Sequence, residues 1–386
     1  MSGRRDRRGE VLDVASRLFA LHGYDGVSMR DLAESVGVTP PALYRHFADK
    51  EEILQSIIEQ TTGRMVRIME GHRDSPDALV SLVSAYTTEV LDRPEVAITY
   101  LRERHRLVGN AESARRANEN ALLDLLVEPY GVAYPELDRT AMVSRIIAAL
   151  GALRGYGEHG VRLPRPAADG FVAASLLELL GTPMTGPVGL PFAQTAWAPE
   201  LSQRERILRA ALPVFRERGF AGVGMAEIGE RAGVGPTNVG RYYCSKEEIL
   251  VDIYDRVGAR VEVGLDEAIA SADDAEDALD RMLRSYCRIA FESADLVVVV
   301  SNNRGAIPAA ERQRLRRRAR RVTGLWAAIV AEVRSDLRPI EVEAVVTAVV
   351  PMVNMFPQQL EGDLPEPEIV AALVRSFVLG AGPGEP

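Results

Sequence analysis

Apolar residues at Val11, Leu12, Ala15, Leu18 and Phe19 recur at three- and four-residue intervals, the stripe of an amphipathic helix that Gly23 then ends. Ser28 stands where a second helix needs a cap, with Asp31 three residues on, and Met29, Leu32, Ala33 and Val36 carry its buried face. Gly37-Val38 turns the chain. Thr39 is expected to cap a third helix, and Pro40 takes its first position, where a missing N–H costs nothing. Leu43 and Phe47 sit four apart on the inward face of that helix. Pro41, Ala42 and Arg45 fall roughly opposite, with Tyr44 and His46 on the flanks, and Asp49 with Glu52 opens a fourth helix. Helix, tight turn and a short helix with a small, non-acidic outer face fit the width of a DNA major groove. The same spacing also serves as a plain helical packing unit.

This pattern occurs twice. A shift of 196 residues lays Leu12–Leu54 on Leu208–Leu250 without a gap, and 17 of the 43 positions are identical. Random agreement would give about three, so the chain is read as a duplication. Helical periodicity continues after each copy, at about 50–67, 77–91, 94–106, 112–130, 138–157 and 167–180, then 246–270, 275–293, 309–336, 340–356 and 367–379. The apolar run Leu296–Val300 would suit a strand by propensity, but a lone strand among helices has no partner, and a buried helix is expected. The stretch 181–199 holds four prolines and three glycines and reads as a connector, with Phe192 and Trp197 expected to dock on one unit. The expected divisions are a first head at 1–50, its body at 51–185, a connector at 186–198, a second head at 199–246 and its body at 247–386.

Composition narrows the classes. At 386 residues with 47% apolar residues, the chain fills more than one core. Its net charge of -9 is unevenly placed: residues 1–50 carry net +1 and 200–246 net +3, leaving -13 on the rest. Two cysteines and five scattered histidines make no metal or thiolate spacing, and no nucleophile or phosphate-loop motif occurs, so neither catalysis nor a cofactor is expected. The polar start and the absence of a long apolar run point to a cytoplasmic chain with no membrane partner.

Gly23–Ala33 together with Gly37–Leu54, and above all Tyr44-Arg45-His46-Phe47-Ala48-Asp49-Lys50, resemble the DNA-binding head of the Tet-repressor family. Gly219–Leu250 is a looser match. The resemblance implies an all-α fold of two tandem units, each a helix-turn-helix head on a helical regulatory body that ends in dimerisation helices. The duplication favours an intrachain pseudo-dimer through the 138–180 and 340–379 regions, with further oligomerisation left open, over pairing of each unit with its equivalent in another chain. The resemblance also implies operator double-stranded DNA as partner, repression, and release by a small organic effector held in the body. Carried over, Thr39, Pro41, Ala42 and Arg45 lie toward bases, while Tyr44, His46 and Lys50 engage or orient phosphates.

The second head departs from the first. Gly240 replaces Tyr44, Gly235 and Gly224 replace the caps Thr39 and Ser28, and Pro213 is expected to kink the first helix. Thr237, Asn238 and Arg241 offer a richer polar face, Asn suiting adenine and Arg guanine, with Lys246 matching Lys50. For the effector, the candidates are Tyr86, Tyr100, His105 and Phe171 in the first body, and Cys287, Phe291, Trp326, Met352 and Phe356 in the second. Seven arginines within 311–321 form a solvated or salt-bridged face, a DNA-backbone contact or an anionic-ligand site, and the acidic remainder favours the first. Arg4, Arg5, Arg7 and Arg8 form either a minor-groove arm or a loose tail. The competing function is a helical protein-interaction or transcription-activating regulator with one inactive head.

Overall fold

The computed structural model describes residues 7–73, 75, 77–107, 109–160, 162–165, 167–181, 202–220, 222–359 and 365–380. The connector, with Phe192 and Trp197, and the arm residues Arg4 and Arg5 lie outside them. Every regular element among the described residues is helical. The first head comprises α1 (Arg7–His22), α2 (Met29–Val36) and α3 (Pro40–Tyr44). Its body comprises α4 (Lys50–His72), α5 (Ala78–Asp92), α6 (Pro94–Glu103), α7 (Gly109–Ala133), α8 (Arg139–His159) and α9 (Ala167–Gly181). The second head comprises α10 (Gln203–Arg218), α11 (Met225–Arg231) and α12 (Pro236–Tyr242). Its body comprises α13 (Lys246–Ala270), α14 (Ala275–Glu292), α15 (Ala294–Asn302), α16 (Ala309–Val333), α17 (Pro339–Gln359) and α18 (Pro367–Gly380). Leu296–Val300 is thus helical, inside α15, as the lack of a strand partner requires.

The turns explain why both heads keep one shape. Gly37 has φ 74° and Gly233 has φ 66°, left-handed values that glycine adopts without a Cβ penalty. Val38 N–H donates to Ala33 O at 2.9 Å, and Val234 N–H to Gly229 O at the same distance, so each turn satisfies an orphan carbonyl identically. Ser28 and Asp31 close a reciprocal capping box, which holds the Asp31 carboxyl below its usual range through the Ser28 hydroxyl. Gly224 supplies no such side-chain cap.

One local expectation changes. Thr39 occupies the N-cap of α3 with extended backbone but its side chain makes no capping bond, so it differs little from Gly235 in this respect. The second recognition helix is longer than the first and runs through Gly240 to Tyr242. Burial of Val239 and Tyr243 on its inner face offsets the low propensity of glycine. Likewise α10 continues through Pro213 to Arg218, although the carbonyl four residues earlier has no N–H to receive there.

The described chain forms two compact units. The first takes the residues before the connector together with Thr347–Met352 and Gly380; the second takes the remainder. In the first unit, head and body share one core: Phe19, Leu32, Leu43 and Phe47 of the head pack in the same cluster as Ile53, Ile57, Tyr100 and Leu107. In the second unit Phe215, Ile228, Val239 and Tyr243 do so with Ile253, Val299 and Ile307. The stretch Pro339–Gln358 is long and apolar enough to cross a membrane, which the short run at 296–300 had not suggested, but 67% of it is buried within the protein.

Glycines of α8 allow close helix packing within the first unit. An added Cβ at Gly151 would fall 2.6 Å from Met352 Cα, and one at Gly155 would fall 2.5 Å from Thr347 O. Backbone atoms cannot step aside, so Gly151→Ala is expected to cost about 1–3 kcal/mol by overpacking. Gly170→Ala in α9, which meets nothing within 4 Å, is expected to gain up to about 1 kcal/mol. Thermal melts of the two variants check this opposite pair of signs.

Candidate DNA-binding heads

The third helix of the first head is anchored by Leu43 and Phe47, both essentially fully buried, which turns its other faces outward. Thr39, Pro41, Arg45 and His46 are exposed, Ala42 is half-buried, and Tyr44 is 53% exposed. In the second head Asn238 is half-buried and Arg241 exposed. The side chain of Thr237 lies outside the described residues.

The two heads are braced in the same way by residues that sequence reasoning assigned elsewhere. Lys50 Nζ donates to Tyr24 O at 2.7 Å and Val27 O at 2.9 Å, and sits 4.0 Å from the Tyr24 ring centroid. Lys246 repeats this with Phe220 O at 2.7 Å, Val223 O at 3.0 Å and the Phe220 ring. Both ammonium groups therefore hold the loop between the first two helices of the head. Burial lowers the Lys50 pKa, and the same burial pushes the Tyr24 phenol up to about 12. Lys50, expected to engage or orient phosphates, and its counterpart Lys246 brace the head, and a direct phosphate contact would have to compete with two internal hydrogen bonds.

Arg8 is a second brace. It donates to His46 O at 2.6 Å and Glu52 at 3.2 Å while lying 4.2 Å from the Phe47 ring centroid. Arg204, at the same register, pairs with Asp252 at 3.1 Å and covers the Tyr243 ring at 4.7 Å. The 196-residue register relates them, but they fall just outside the window where the identities cluster. Arg7 pairs with Glu10 at 2.9 Å, so the described part of the basic start belongs to α1 and not to a free arm. Sequence reasoning also passed over Tyr242, 37% exposed beside Arg241, which stands where the first head has His46.

A family model for bacterial regulatory proteins of the tetR family matches residues 11–57 and again 207–253. Two segments of the chain, one per head, thus match the head of this family, the second diverging from the first. The HTH-type transcriptional repressor KstR2 of Rhodococcus jostii is 35% identical over 114 residues, which cover 28% of this chain and 55% of the relative. The HTH-type transcriptional repressor AcnR of Corynebacterium diphtheriae is 40% identical over 63 residues, or 16% and 33% of the two chains. The chain thus spans about half, or less, of the length of these curated relatives. The TetR family transcriptional regulator PfmR of Thermus thermophilus covers 45% of this chain and 97% of its own at 22% identity, with a TM-score of 0.42.

Behind the first head, cavities open in the body among the described residues. One is apolar, lined by Leu82, Tyr86, Leu126, Leu150, Leu153 and Leu176 among others. Another lies where the head meets the body, lined by Ser16, Thr61, Arg64, Met65, Tyr86 and Arg93 among others. Tyr86 lines both and is the one expected ligand residue that does so. Tyr100 belongs to the shared head–body core, with its hydroxyl on Glu119 at 2.6 Å, and Phe171 is buried; the His105 side chain lies outside the described residues. Cys287, Trp326 and Phe356 are fully buried in the second unit and Met352 in the first, and the Phe291 ring lies tilted against that of Phe356 at 6.3 Å. Burial raises the Cys287 thiol pKa, which leaves it an inert core group.

Proposed function

We propose that the chain is a sequence-specific, double-stranded-DNA-binding transcriptional regulator, an effector-released repressor that reads DNA with both heads. The observation that carries this reading is the retention, in both copies, of an exposed arginine, Arg45 or Arg241, at the C-terminal end of a short helix held by the same left-handed turn and the same lysine brace. An arginine so placed matches the O6/N7 edge of guanine in a major groove. In this reading Thr39, Pro41, Ala42, Asn238 and Thr237 face bases, and Tyr44 and His46 face phosphates. The work of such a protein lies in the cytoplasm, where its DNA is.

Release follows from the way the first head rests on its body. Thr99 Oγ1 donates to Ser16 O at 2.9 Å and Arg102 to Ala20 O at 2.9 Å, both from α6 to α1, and Arg93 pairs with Asp13. An organic effector in the cavities beside Tyr86 would displace α4 and α6, and those bonds would carry the shift to the head. An effector is thus expected to weaken operator binding by the ratio of its affinities for the two states. Operator titration with and without saturating cognate compound tests this. Unchanged affinity would sink the release mechanism, and failure of any genomic DNA fragment to bind at moderate salt would sink the DNA reading.

A further inference from the structure

The arginine run on α16 divides into two sets. Arg314 pairs with Asp255 at 2.5 Å and Glu311 at 2.7 Å, Arg318 with Asp255 at 2.8 Å and Glu262 at 3.0 Å, and Arg321 with Asp266 at 3.3 Å. Those three form the salt-bridged face that the acidic body favours. The other four, Arg312, Arg316, Arg317 and Arg320, are exposed, and none has a hydrogen-bond or ion-pair partner among the described residues. Arg312, Arg316 and Arg320 recur every fourth residue, which places them in one stripe about 12 Å long, with Arg317 at its flank. Like charges four apart disfavour a helix, so nothing internal accounts for this face.

The first unit does not carry it. Helices α7 and α16 are both 25 residues long and offset by 200. The corresponding positions in α7 are Glu112, Arg116, Ala117 and Asn120, and Arg116 is neutralised by Glu112 at 2.8 Å. The stripe thus belongs to the unit whose recognition helix has Gly240 in place of Tyr44 and lacks that outward phenol. Its position also favours the head. The partners of Arg314, Arg318 and Arg321 advance along α13 from Asp255 to Glu262 to Asp266, so α13 and α16 run parallel. The N-terminal end of α13 carries Lys246, the brace of the second head, and Leu315 packs against the core of that head. Arg312 therefore lies nearest the head and Arg320 farthest from it.

We propose that this stripe is a second DNA-contacting surface, taking the phosphate backbone of the duplex that flanks the second head's half-site. The proposal rests on the DNA-binding reading above. A duplex carries one negative charge per roughly 1.7 Å of its axis, and guanidinium groups pair with phosphates through charge-assisted hydrogen bonds. Four uncompensated arginines on a chain of net charge -9 mark the place where such a polyanion is attracted and not repelled.

The test compares the full chain with a variant carrying Arg312→Gln, Arg316→Gln, Arg317→Gln and Arg320→Gln, titrated over a range of salt on operator DNA with long or trimmed flanks. Glutamine keeps the helix propensity of arginine, and circular dichroism confirms the fold. The plot of log affinity against log salt is expected to flatten by about 0.9 for each phosphate that the variant no longer neutralises, equally for cognate and scrambled DNA, and only with long flanks. Single variants should rank Arg312→Gln above Arg316→Gln above Arg320→Gln, and they supply the readout if the fourfold variant misfolds. A salt slope unchanged in variants that still bind their operator overturns the proposal alone. A wild-type chain that binds no DNA overturns the underlying reading as well.

Discussion

Arg45→Ala is expected to lower the preference for operator over scrambled DNA by about 5- to 150-fold, the worth of one bidentate arginine–guanine contact of about 1–3 kcal/mol. Arg45 is exposed and its neighbour Tyr44 presents a hydroxyl to solvent, whereas Arg241 is preceded by Gly240, which presents none. Arg241→Ala should therefore reduce the preference less. The weaker caps of the second head do not contribute to this ranking, since Thr39 makes no capping bond either. Both variants are compared at equal salt, because the electrostatic part of the affinity falls steeply with it. A preserved ratio for Arg45→Ala beside a collapsed one for Arg241→Ala would reverse the assignment of the first head as dominant.

Arg106→Ala is expected to have the largest effect on stability. Its guanidinium lies 2.6 Å from Glu103 and 2.5 Å from Asp25, and 5.0 Å from the Tyr24 ring centroid, tying body to head in the first unit. Glu103 is only 2% exposed, so the variant leaves a buried carboxylate with little but the Tyr24 N–H, 3.2 Å away. Breaking a buried pair from one side costs about 3–5 kcal/mol. At roughly 2–4 °C per kcal/mol for a unit of this size, melting should fall by about 6–20 °C. Burial already holds the Glu103 carboxyl above the usual carboxylate range, against the pull of Arg106. A raised carboxyl pKa means that its share of stability is complete below the ordinary carboxylate pKa and is lost as pH rises through the folded value. Removal of Arg106 raises that value further, so the deficit of the variant should be greatest near neutrality and shrink on acidification. Melts from about pH 4.5 to 8, spanning the ordinary carboxylate pKa and neutrality, check this; a deficit that ignores pH would place the loss elsewhere. At the 200-residue offset, the second unit has Asn303 and Ala306, with Asn303 Nδ2 bonded to Val299 O at 2.8 Å, and no comparable sensitivity is expected there.

The heads were legible in the sequence because their determinants are local. A 3.6-residue period, a left-handed glycine and a proline at the first helical position each act within a few residues, and Leu43, Phe47, Gly37 and Ser28 all do what their spacing implies. The roles of long side chains were not legible, since those depend on what lies within reach in space. Lys50 and Lys246 turn inward onto two carbonyls of the loop after the first helix. Arg8 closes over Phe47 from 39 positions away in the chain. The arginine run of α16 could not be divided without the positions of Asp255, Glu262 and Asp266 on α13. Aromatic residues of the second body are candidates for cavity lining, but periodicity does not separate a lining residue from a core one, and Trp326 and Phe356 are fully buried.

The central claim is that one chain reads DNA with two unlike heads, and footprinting the intact protein on fragments selected from its source genome tests it most directly. Two protected blocks of different sequence are expected for each bound chain, with the block read by the first head lost in Arg45→Ala and the other retained. A single block unaffected by either Arg45→Ala or Arg241→Ala, or no protection at moderate salt, would contradict it.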